Sequence, residues 1–295
     1  MKESVFFPAE GGATLSAWLY LPKKSIGKLP AITMAHGFGL TKFHSLDPIA
    51  QSFADAGFAV LLHDHRGFGE SGGLPRHDVN PWQQISDWRR AISYLQSRAE
   101  VDAGRIGLWG TSYAGGHAIV LGATDRRLKA VVASVPTTDG FATGLRRLSA
   151  VQRAELEDLL ALDERAQLRG EDPAAQLLVS ADPDRAACYR SEEAIAFYLQ
   201  DVSTDVWANQ VTLRSTRWAQ MYRPGSWVKQ VSPTPLLMMV AEQDNVTGTD
   251  LALQVFEQAL DPKKLVMTHG GHFDQYGREF AACTEASIEW FNTYL

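Results

Sequence analysis

The sequence contains few cysteines and no long apolar run. Its 295 residues include two cysteines, Cys188 and Cys283, which lie far apart in the chain. That spacing favours a reducing compartment over a disulfide framework. No stretch of about 20 apolar residues is present that could span a bilayer, and the opening residues, MKESVFFP, lack the apolar run of a signal peptide. We therefore expect a cytoplasmic protein that has no membrane partner.

An excess of positive charge is also lacking. The chain carries 34 acidic and 28 basic residues, a formal net charge of −6, which argues against nucleic acid as a partner. Phosphate-loop and dinucleotide fingerprints are absent. His63 and His65 are two residues apart, but both flank the turn-forming pair Arg66-Gly67, and no cluster has convincing metal-ligand spacing. The sequence therefore predicts neither a cofactor nor a metal ion.

The sequence does contain a regular alternation of short apolar runs and amphipathic segments. Alternating residues 15–21, preceded by apolar residues 5–7 and the turn-forming residues 10–12, predict an antiparallel hairpin. Further strands are predicted at 31–35, 58–62, 106–109, 128–134, 235–240 and 265–268. Helices are predicted from the cap Asn80 to about 98, at 250–260 and at 284–294. Strands that alternate with helices predict an α/β fold, with a mostly parallel central sheet and helices on both faces.

One long segment interrupts this alternation. Residues 141–232 contain two stretches with helical periodicity, 151–169 and 191–200, and turn-forming Asp-Pro pairs divide the segment. We predict a helical insertion here, between core segments 1–140 and 233–295. Its large apolar residues near the end are candidates for its own core or for a substrate pocket: Trp207, Trp218, Met221, Tyr222 and Trp227.

Residues 105–117, RIGLWGTSYAGGH, are the most informative stretch of the chain. The part from Gly110 to Ala114 matches Gly-x-Ser-x-Gly with alanine at the last position, and it lies between a predicted strand and a predicted helix. An abrupt turn from strand to helix pushes the side chain of its central residue outward, here Ser112. The helix that follows directs free N–H groups towards an anion formed beside that serine. The stretch predicts a nucleophile, with an ordinary strand-to-helix turn as the alternative.

A nucleophilic serine needs a base, and the base needs a carboxylate that orients it. Asp244 follows the predicted strand 235–240, and His272 lies in a glycine-flanked loop after the strand 265–268. The order serine, acid, histidine, each after a strand, predicts a catalytic triad. Other residues could take these places: Glu242, Asp274 or Asp139 as the acid, and His269 as the base.

On these motifs the chain resembles the serine hydrolases of the α/β-hydrolase superfamily, over residues 3–140 and 232–295. The resemblance implies that Ser112 is the nucleophile, Asp244 the acid and His272 the base. It also implies that the insertion is a cap over the active site. Residues 36–38, His-Gly-Phe, match the family motif of the oxyanion hole, so that Phe38 and Tyr113 would donate its two backbone N–H groups.

Within the superfamily, the GTSYAGG stretch is similar to the dienelactone-hydrolase-like and acyl-esterase groups, and the Ser-Tyr pair also resembles the Xaa-Pro dipeptidyl-peptidases. The resemblance implies a serine hydrolase that cleaves a carboxylic ester of a small or medium-sized molecule through an acyl-enzyme. The alternatives are a thioesterase, an amidase or a C–C bond hydrolase with the same triad, and a non-catalytic ligand-binding protein. A small-molecule ester or related acyl substrate is the expected partner, and formation of a homodimer stays open.

Overall fold

A computed structural model describes residues 1–23 and 27–295 of the protein. Strands and helices alternate up to residue 134: β1 (Lys2–Pro8), β2 (Thr14–Tyr20), β3 (Leu29–Ala35), α1 (Asp47–Asp55), β4 (Ala59–His63), α2 (Pro81–Ser97), β5 (Val101–Thr111), α3 (Tyr113–Thr124) and β6 (Leu128–Ser134). The insertion follows with α4 (Gly140–Arg147), α5 (Ala150–Leu168), β7 (Ala175–Val179), β8 (Ala187–Tyr189), α6 (Glu192–Tyr198), β9 (Gln210–Thr212), α7 (Arg214–Met221) and α8 (Val228–Val231). The chain then returns to the sheet with β10 (Leu236–Ala241), α9 (Thr249–Gln258), β11 (Lys263–Thr268) and α10 (Phe280–Tyr294).

Eight of these strands form one sheet in the order β1-β2-β4-β3-β5-β6-β10-β11. The first two form the predicted antiparallel hairpin, in which Val5 lies opposite Ala17. Strand β2 also runs antiparallel to β4, and every later neighbour in the sheet is parallel. The predicted α/β architecture with a mostly parallel sheet is therefore confirmed.

The central strands are apolar on both sides because helices cover both faces of the sheet. On β3, Ala31 and Ala35 join a buried cluster that includes Trp88 of α2. The alternate residues Ile32 and Met34 face a second cluster that includes Phe291 of α10. The alternation of side chains along a strand thus divides the core into two layers.

Local signals account for the ends of the helices. The side chain of Asn80 accepts hydrogen bonds from the backbone N–H groups of Trp82 and Gln83, and Pro81 occupies the first position of α2, as predicted.

Helix α1 was not predicted, although it buries Ile49 and Phe53 against the sheet. Within residues 1–23 and 27–295, no helix combines the length and the apolar character that crossing a membrane requires.

The insertion differs from the prediction of helices alone. Three of its short strands form a second sheet in the order β8-β7-β9, with β7 parallel to β8 and antiparallel to β9. These strands have only 3 to 5 residues each, too few for a period of two to stand out from the surrounding polar sequence. The helical stretches themselves lie where the periodicity predicted them, as α5 and α6.

Candidate active site

The turn from β5 to α3 places Ser112 at the carboxyl edge of the sheet. Ser112 has φ 57° and ψ −118°, a conformation that residues with a Cβ seldom adopt. Its backbone N–H donates to the Ser134 carbonyl at 2.9 Å, and its carbonyl accepts from the Thr137 N–H at 2.8 Å. A side chain at Gly110 would clash with the Ala114 carbonyl, so strand and helix need a glycine there to approach so closely. The turn is therefore fixed by backbone contacts on both sides.

Three side chains from separate loops meet at this edge. The Nε2 atom of His272 lies 2.9 Å from the Oγ atom of Ser112, and its Nδ1 atom lies 2.8 Å from Oδ2 of Asp244. Both His272 and Asp244 are buried, whereas Ser112 is partly accessible. The carboxyl ends of parallel strands share one edge of a sheet, and this brings residues 112, 244 and 272 together. The distances suit a nucleophile, a base and an orienting acid.

The carboxylate of Asp244 is held in its ionised form. Its Oδ1 atom accepts hydrogen bonds from the backbone N–H groups of Val246 and Thr247, each at 2.8 Å. Its Oδ2 atom accepts a third from the Thr247 hydroxyl, also at 2.8 Å. Burial alone would raise the pKa of Asp244, but the His272 ring and these donors outweigh burial and hold the pKa well below its usual range. An ionised Asp244 accepts a hydrogen bond from the Nδ1–H group of His272, which leaves the unprotonated Nε2 atom to act as the base.

Two backbone N–H groups beside Ser112 are free to bind an anion. Within residues 1–23 and 27–295, the N–H groups of Phe38 and Tyr113 donate no hydrogen bond to another protein group. The segment 36–40, here called the oxyanion loop, passes so close to the nucleophile that a Cβ at Gly37 would lie 3.4 Å from Ser112 Oγ. The rings of Phe38 and Tyr113 meet edge to face, with centroids 5.3 Å apart. The geometry suits an oxyanion hole.

His36 supports the oxyanion loop from the core side. Its Nε2 atom accepts the backbone N–H of His65 at 3.0 Å, so the proton lies on Nδ1, which is 3.0 Å from the Gly37 carbonyl. Burial is the main reason that the pKa of His36 is lowered to about 3; the hydrogen bond to Gly37 opposes this shift and the nearby Lys42 adds to it, so the ring is neutral. Because the Gly37 carbonyl and the Phe38 N–H belong to one peptide group, His36 orients the donor.

The turn at residues 64–71 binds Lys42, two residues after the oxyanion loop. Asp64 accepts hydrogen bonds from the backbone N–H of Lys42 at 2.7 Å and from its ammonium group at 2.6 Å. The Ser71 hydroxyl donates to the Asp64 carbonyl at 2.7 Å. Lys42 is fully buried and also contacts Glu70 at 2.7 Å. The turn thus has a structural role. No motif in the sequence indicated the buried Lys42.

The other candidates for acid and base lie outside this arrangement. Asp139 caps α4 and forms an ion pair with Arg223, and Asp274 accepts the Gly271 N–H at 2.6 Å. His269 is 77% exposed and contacts Glu242 at 3.2 Å. A further buried histidine, at position 117, lies in the core, where Tyr222 and Gln84 bind its two ring nitrogens.

The structure separates the residues that were predicted to line a pocket. Trp207 and Tyr222 are buried, Trp207 against the oxyanion loop and Tyr222 with its ring 5.1 Å from that of Tyr113. Trp218 is half-buried on α7. Met221 and Trp227 lie at the surface, 64% and 36% exposed, so they do not form part of a buried pocket wall. Trp207 and Tyr222 therefore occupy core positions, one of the two predicted alternatives, whereas Met221 and Trp227 are exposed.

Other aromatic residues surround the site instead. The ring of Phe273 lies 4.9 Å from that of His272 and stacks on Phe197 of α6 at 4.6 Å. Tyr189 of β8 stacks on Tyr198 at 5.5 Å. The sequence analysis missed these four residues. The adjacent aromatic pair at 197–198, inside a segment of helical period, was the one signal that could have indicated them.

The described residues offer neither a metal-binding cluster nor a disulfide bond. Among residues 1–23 and 27–295, no three histidine, cysteine or acidic side chains are grouped so as to hold a metal ion. Both cysteines are unpaired, and Cys283 is buried between α10 and the sheet. The groups at the site are the Ser112 hydroxyl, the His272 imidazole and the Asp244 carboxylate.

Comparison with known proteins identifies the family of this chain. The family model of the X-Pro dipeptidyl-peptidases (S15 family) matches residues 11–274. The chain belongs to the S15 family. The matched range contains Ser112, Asp244 and His272, and it includes the whole insertion. The S15 chain described here is thus an enzyme of a hydrolase family, as the predicted resemblance implied.

Relatives and solved structures agree with this assignment. The quorum-quenching protein AidA of Acinetobacter baumannii (strain MDR-ZJ06) is 31% identical over 278 residues, 93% of this chain and 90% of AidA. Polyketide transferase ATR5 of Stachybotrys chlorohalonatus is 30% identical and covers 92% of this chain and 90% of its own length. Thiohydrolase apmlB of Arthrinium phaeospermum is 29% identical, with 98% and 96% covered. The crystal structure of the α/β hydrolase GrgF from Penicillium superposes with a TM-score of 0.86 at 26% identity, over 100% of this chain and 99% of GrgF. The α/β-hydrolase fold is confirmed.

Proposed function

We propose that this enzyme is a serine hydrolase that cleaves carboxylic esters through an acyl-enzyme. The observation that carries the proposal is the position of His272, within 2.9 Å of the Ser112 hydroxyl and 2.8 Å of the Asp244 carboxylate. A serine hydroxyl becomes a useful nucleophile only when such a base accepts its proton. The geometry therefore supports covalent catalysis rather than ligand binding by an unreactive fold.

The proposed reaction has two steps. The Ser112 oxygen attacks the ester carbonyl, while His272 takes the hydroxyl proton and Asp244 stabilises the charged ring. The negative charge on the former carbonyl oxygen is stabilised by the N–H groups of Phe38 and Tyr113. His272 then gives its proton to the leaving alcohol, and a water molecule releases the acid by the reverse sequence. The proton of Ser112 thus leaves with the alcohol, and the proton that His272 takes from water is returned to the Ser112 oxygen.

A thioester is the second candidate substrate. A relative that covers almost the whole chain is named a thiohydrolase, and another is named a polyketide transferase. The same triad can attack a thioester, because the attack forms the same acyl-enzyme and only the leaving group changes. The aromatic residues beside the site, which include Phe197 and Phe273, suit the apolar chain of an acyl group in either case.

The test uses matched esters and thioesters. The wild-type enzyme and the Ser112→Ala variant would be assayed on p-nitrophenyl esters from acetate to laurate and on N-acetylcysteamine thioesters of the same chain lengths. We expect turnover of at least one series, and a loss of kcat of about 10⁶-fold in the variant. Thermal unfolding would serve as the control, since the exchange removes a single hydroxyl.

The outcomes separate the candidates. Faster turnover of the esters supports a carboxylesterase, and faster turnover of the thioesters supports the second candidate. Equal turnover by wild-type and variant enzyme would exclude the proposed nucleophile. A wild-type enzyme that hydrolyses neither series and is not labelled by a fluorophosphonate would contradict a serine hydrolase altogether.

A further inference from the structure

Two side chains of the insertion donate hydrogen bonds to the oxyanion loop. The hydroxyl of Tyr198, the last residue of α6, donates to the Phe38 carbonyl at 2.8 Å. The indole N–H of Trp207 donates to the next carbonyl, that of Gly39, at 2.9 Å. Both aromatic residues are buried. The carbonyl groups of Phe38 and Gly39, which directly follow the candidate donor N–H of Phe38, are therefore bound by residues of the insertion.

Packing reinforces these two hydrogen bonds. Leu178 of β7 lies directly against Gly39, with no space for a side chain between them. The Trp207 ring also packs edge to face on His44, with centroids 5.1 Å apart. Just beyond the oxyanion loop, the Ser45 hydroxyl donates to Gln200 at 2.9 Å. The insertion thus contacts the segment 38–45 through both polar and apolar groups.

We propose that Tyr198 and Trp207 are positioning residues for the oxyanion hole, an inference that rests on the proposed function. His36 orients the peptide group that contains the Phe38 N–H from the core side. Tyr198 and Trp207 fix the two carbonyls that follow it. With both ends held, the N–H of Phe38 keeps one direction relative to Ser112 before substrate arrives.

The physical reason is preorganisation. An oxyanion donor stabilises the transition state only when it already points to the position of the developing charge. If the Tyr198 hydroxyl were absent, the buried Phe38 carbonyl would lack its partner, and the loop would turn to find another. A shift of about 1 Å in a donor is enough to lower the rate by about 100-fold. The ground-state complex needs no such alignment, so substrate binding would change little.

The inference also links the insertion to catalysis. Tyr198 stacks on Tyr189 and lies near Phe273, whose ring is 6.4 Å away. A displacement of α6 from the sheet would break the hydrogen bond to Phe38. The oxyanion hole is therefore complete only while the insertion is in the position that the structure shows.

The test removes each hydrogen bond with minimal change in shape. Tyr198→Phe deletes one hydroxyl, and Trp207→Phe deletes the indole N–H together with part of the ring. Tyr20→Phe is the matched control, because Tyr20 is buried on β2 and its hydroxyl binds Asp47 at 2.6 Å, away from the oxyanion loop. For each variant one would measure kcat, KM, thermal unfolding and the Ki of a boronic acid that mimics the tetrahedral intermediate.

We expect kcat to fall about tenfold or more in Tyr198→Phe and Trp207→Phe, with KM within about threefold of wild type. The Ki of the boronic acid should rise by the same factor as kcat/KM falls, because both depend on the oxyanion donors. A merely structural role would lower the unfolding temperature without this proportional change. The Tyr20→Phe control should lose stability and keep its kinetics.

Several results would overturn the inference. Folded Tyr198→Phe and Trp207→Phe variants with wild-type kcat and Ki would exclude it, as would an equal kinetic loss in Tyr20→Phe. If Tyr198→Phe does not fold, Trp207→Phe decides the question alone. Failure of the proposed function looks different, since the wild-type enzyme itself would then show neither ester or thioester hydrolysis nor Ser112 labelling.

Discussion

On the core side of the site, the oxyanion loop is held by its immediate neighbours, because His36 contacts the carbonyl of the next residue. On the side of the insertion, the same loop is held by Tyr198 and Trp207, which lie 160 and 168 residues from the carbonyls that they bind. The first arrangement depends on residues of one short sequence motif. The second depends on how a whole inserted segment folds. On the proposed mechanism, the core supplies the reacting groups and the insertion aligns the oxyanion loop.

The largest effect should come from the core side, at the triad acid. Asp244→Asn keeps the shape of the side chain but removes the charge that holds the Nδ1 proton of His272. We expect kcat to fall by about 10⁴-fold, because the ring adopts the wrong tautomer. The measurement is the steady-state rate on the best ester or thioester substrate.

Asp139→Asn is the matched control for this prediction. Asp139 lies just before the insertion, where it caps α4 and forms an ion pair with Arg223. Its exchange should leave kcat within about threefold and lower the free energy of unfolding by about 1 kcal/mol or less. A similar loss of kcat in both variants would mean that Asp244 has no special role.

Acid should destabilise the protein through the buried histidines of its core. Burial lowers the pKa of His36, His44, His63 and His117 to about 3 each, and in the unfolded chain these residues titrate near the ordinary value of about 6.5. The unfolded state therefore binds more protons than the folded state below that pH. The free energy of unfolding should fall by up to about 5 kcal/mol per pH unit between pH 6.5 and 4, and should not respond to these groups above pH 7.

Urea unfolding at pH 7, 6 and 5 would measure this slope. His63→Leu removes one of the buried histidines and should reduce the slope by about 1.4 kcal/mol per pH unit. A free energy of unfolding that is flat between pH 7 and 5 would show that the buried histidines accept protons without opening the core.

The sequence predicted the core side of the site more completely than the side of the insertion, because the core motifs depend on residues that are close together in the chain. The turn at Ser112 and the motif at His36 each depend on a few consecutive residues, and Asp244 and His272 follow recognisable strands. The positions of Tyr198 and Trp207 depend on the docking of α6 and on the small sheet of the insertion, whose strands are too short for a clear periodicity. Helical periodicity predicted α5 and α6 but not α4, α7 or α8, and it does not say which aromatic residues face the sheet.

Met221 and Trp227 provide the smallest predicted effect and the sharpest test of that point. Met221 is 64% exposed, so alanine in its place should change the free energy of unfolding by less than about 1 kcal/mol. Trp227 is 36% exposed and loses more buried ring area, so its exchange should cost more stability. We expect kcat/KM of both variants to stay within about twofold of wild type along the whole acyl series, whereas Trp207→Phe lowers it at every chain length. A selective loss for long acyl chains in Met221→Ala would instead show that the surface around α7 is part of the substrate path. The insertion would then bind acyl chains on its outer face as well as align the oxyanion loop from its inner one.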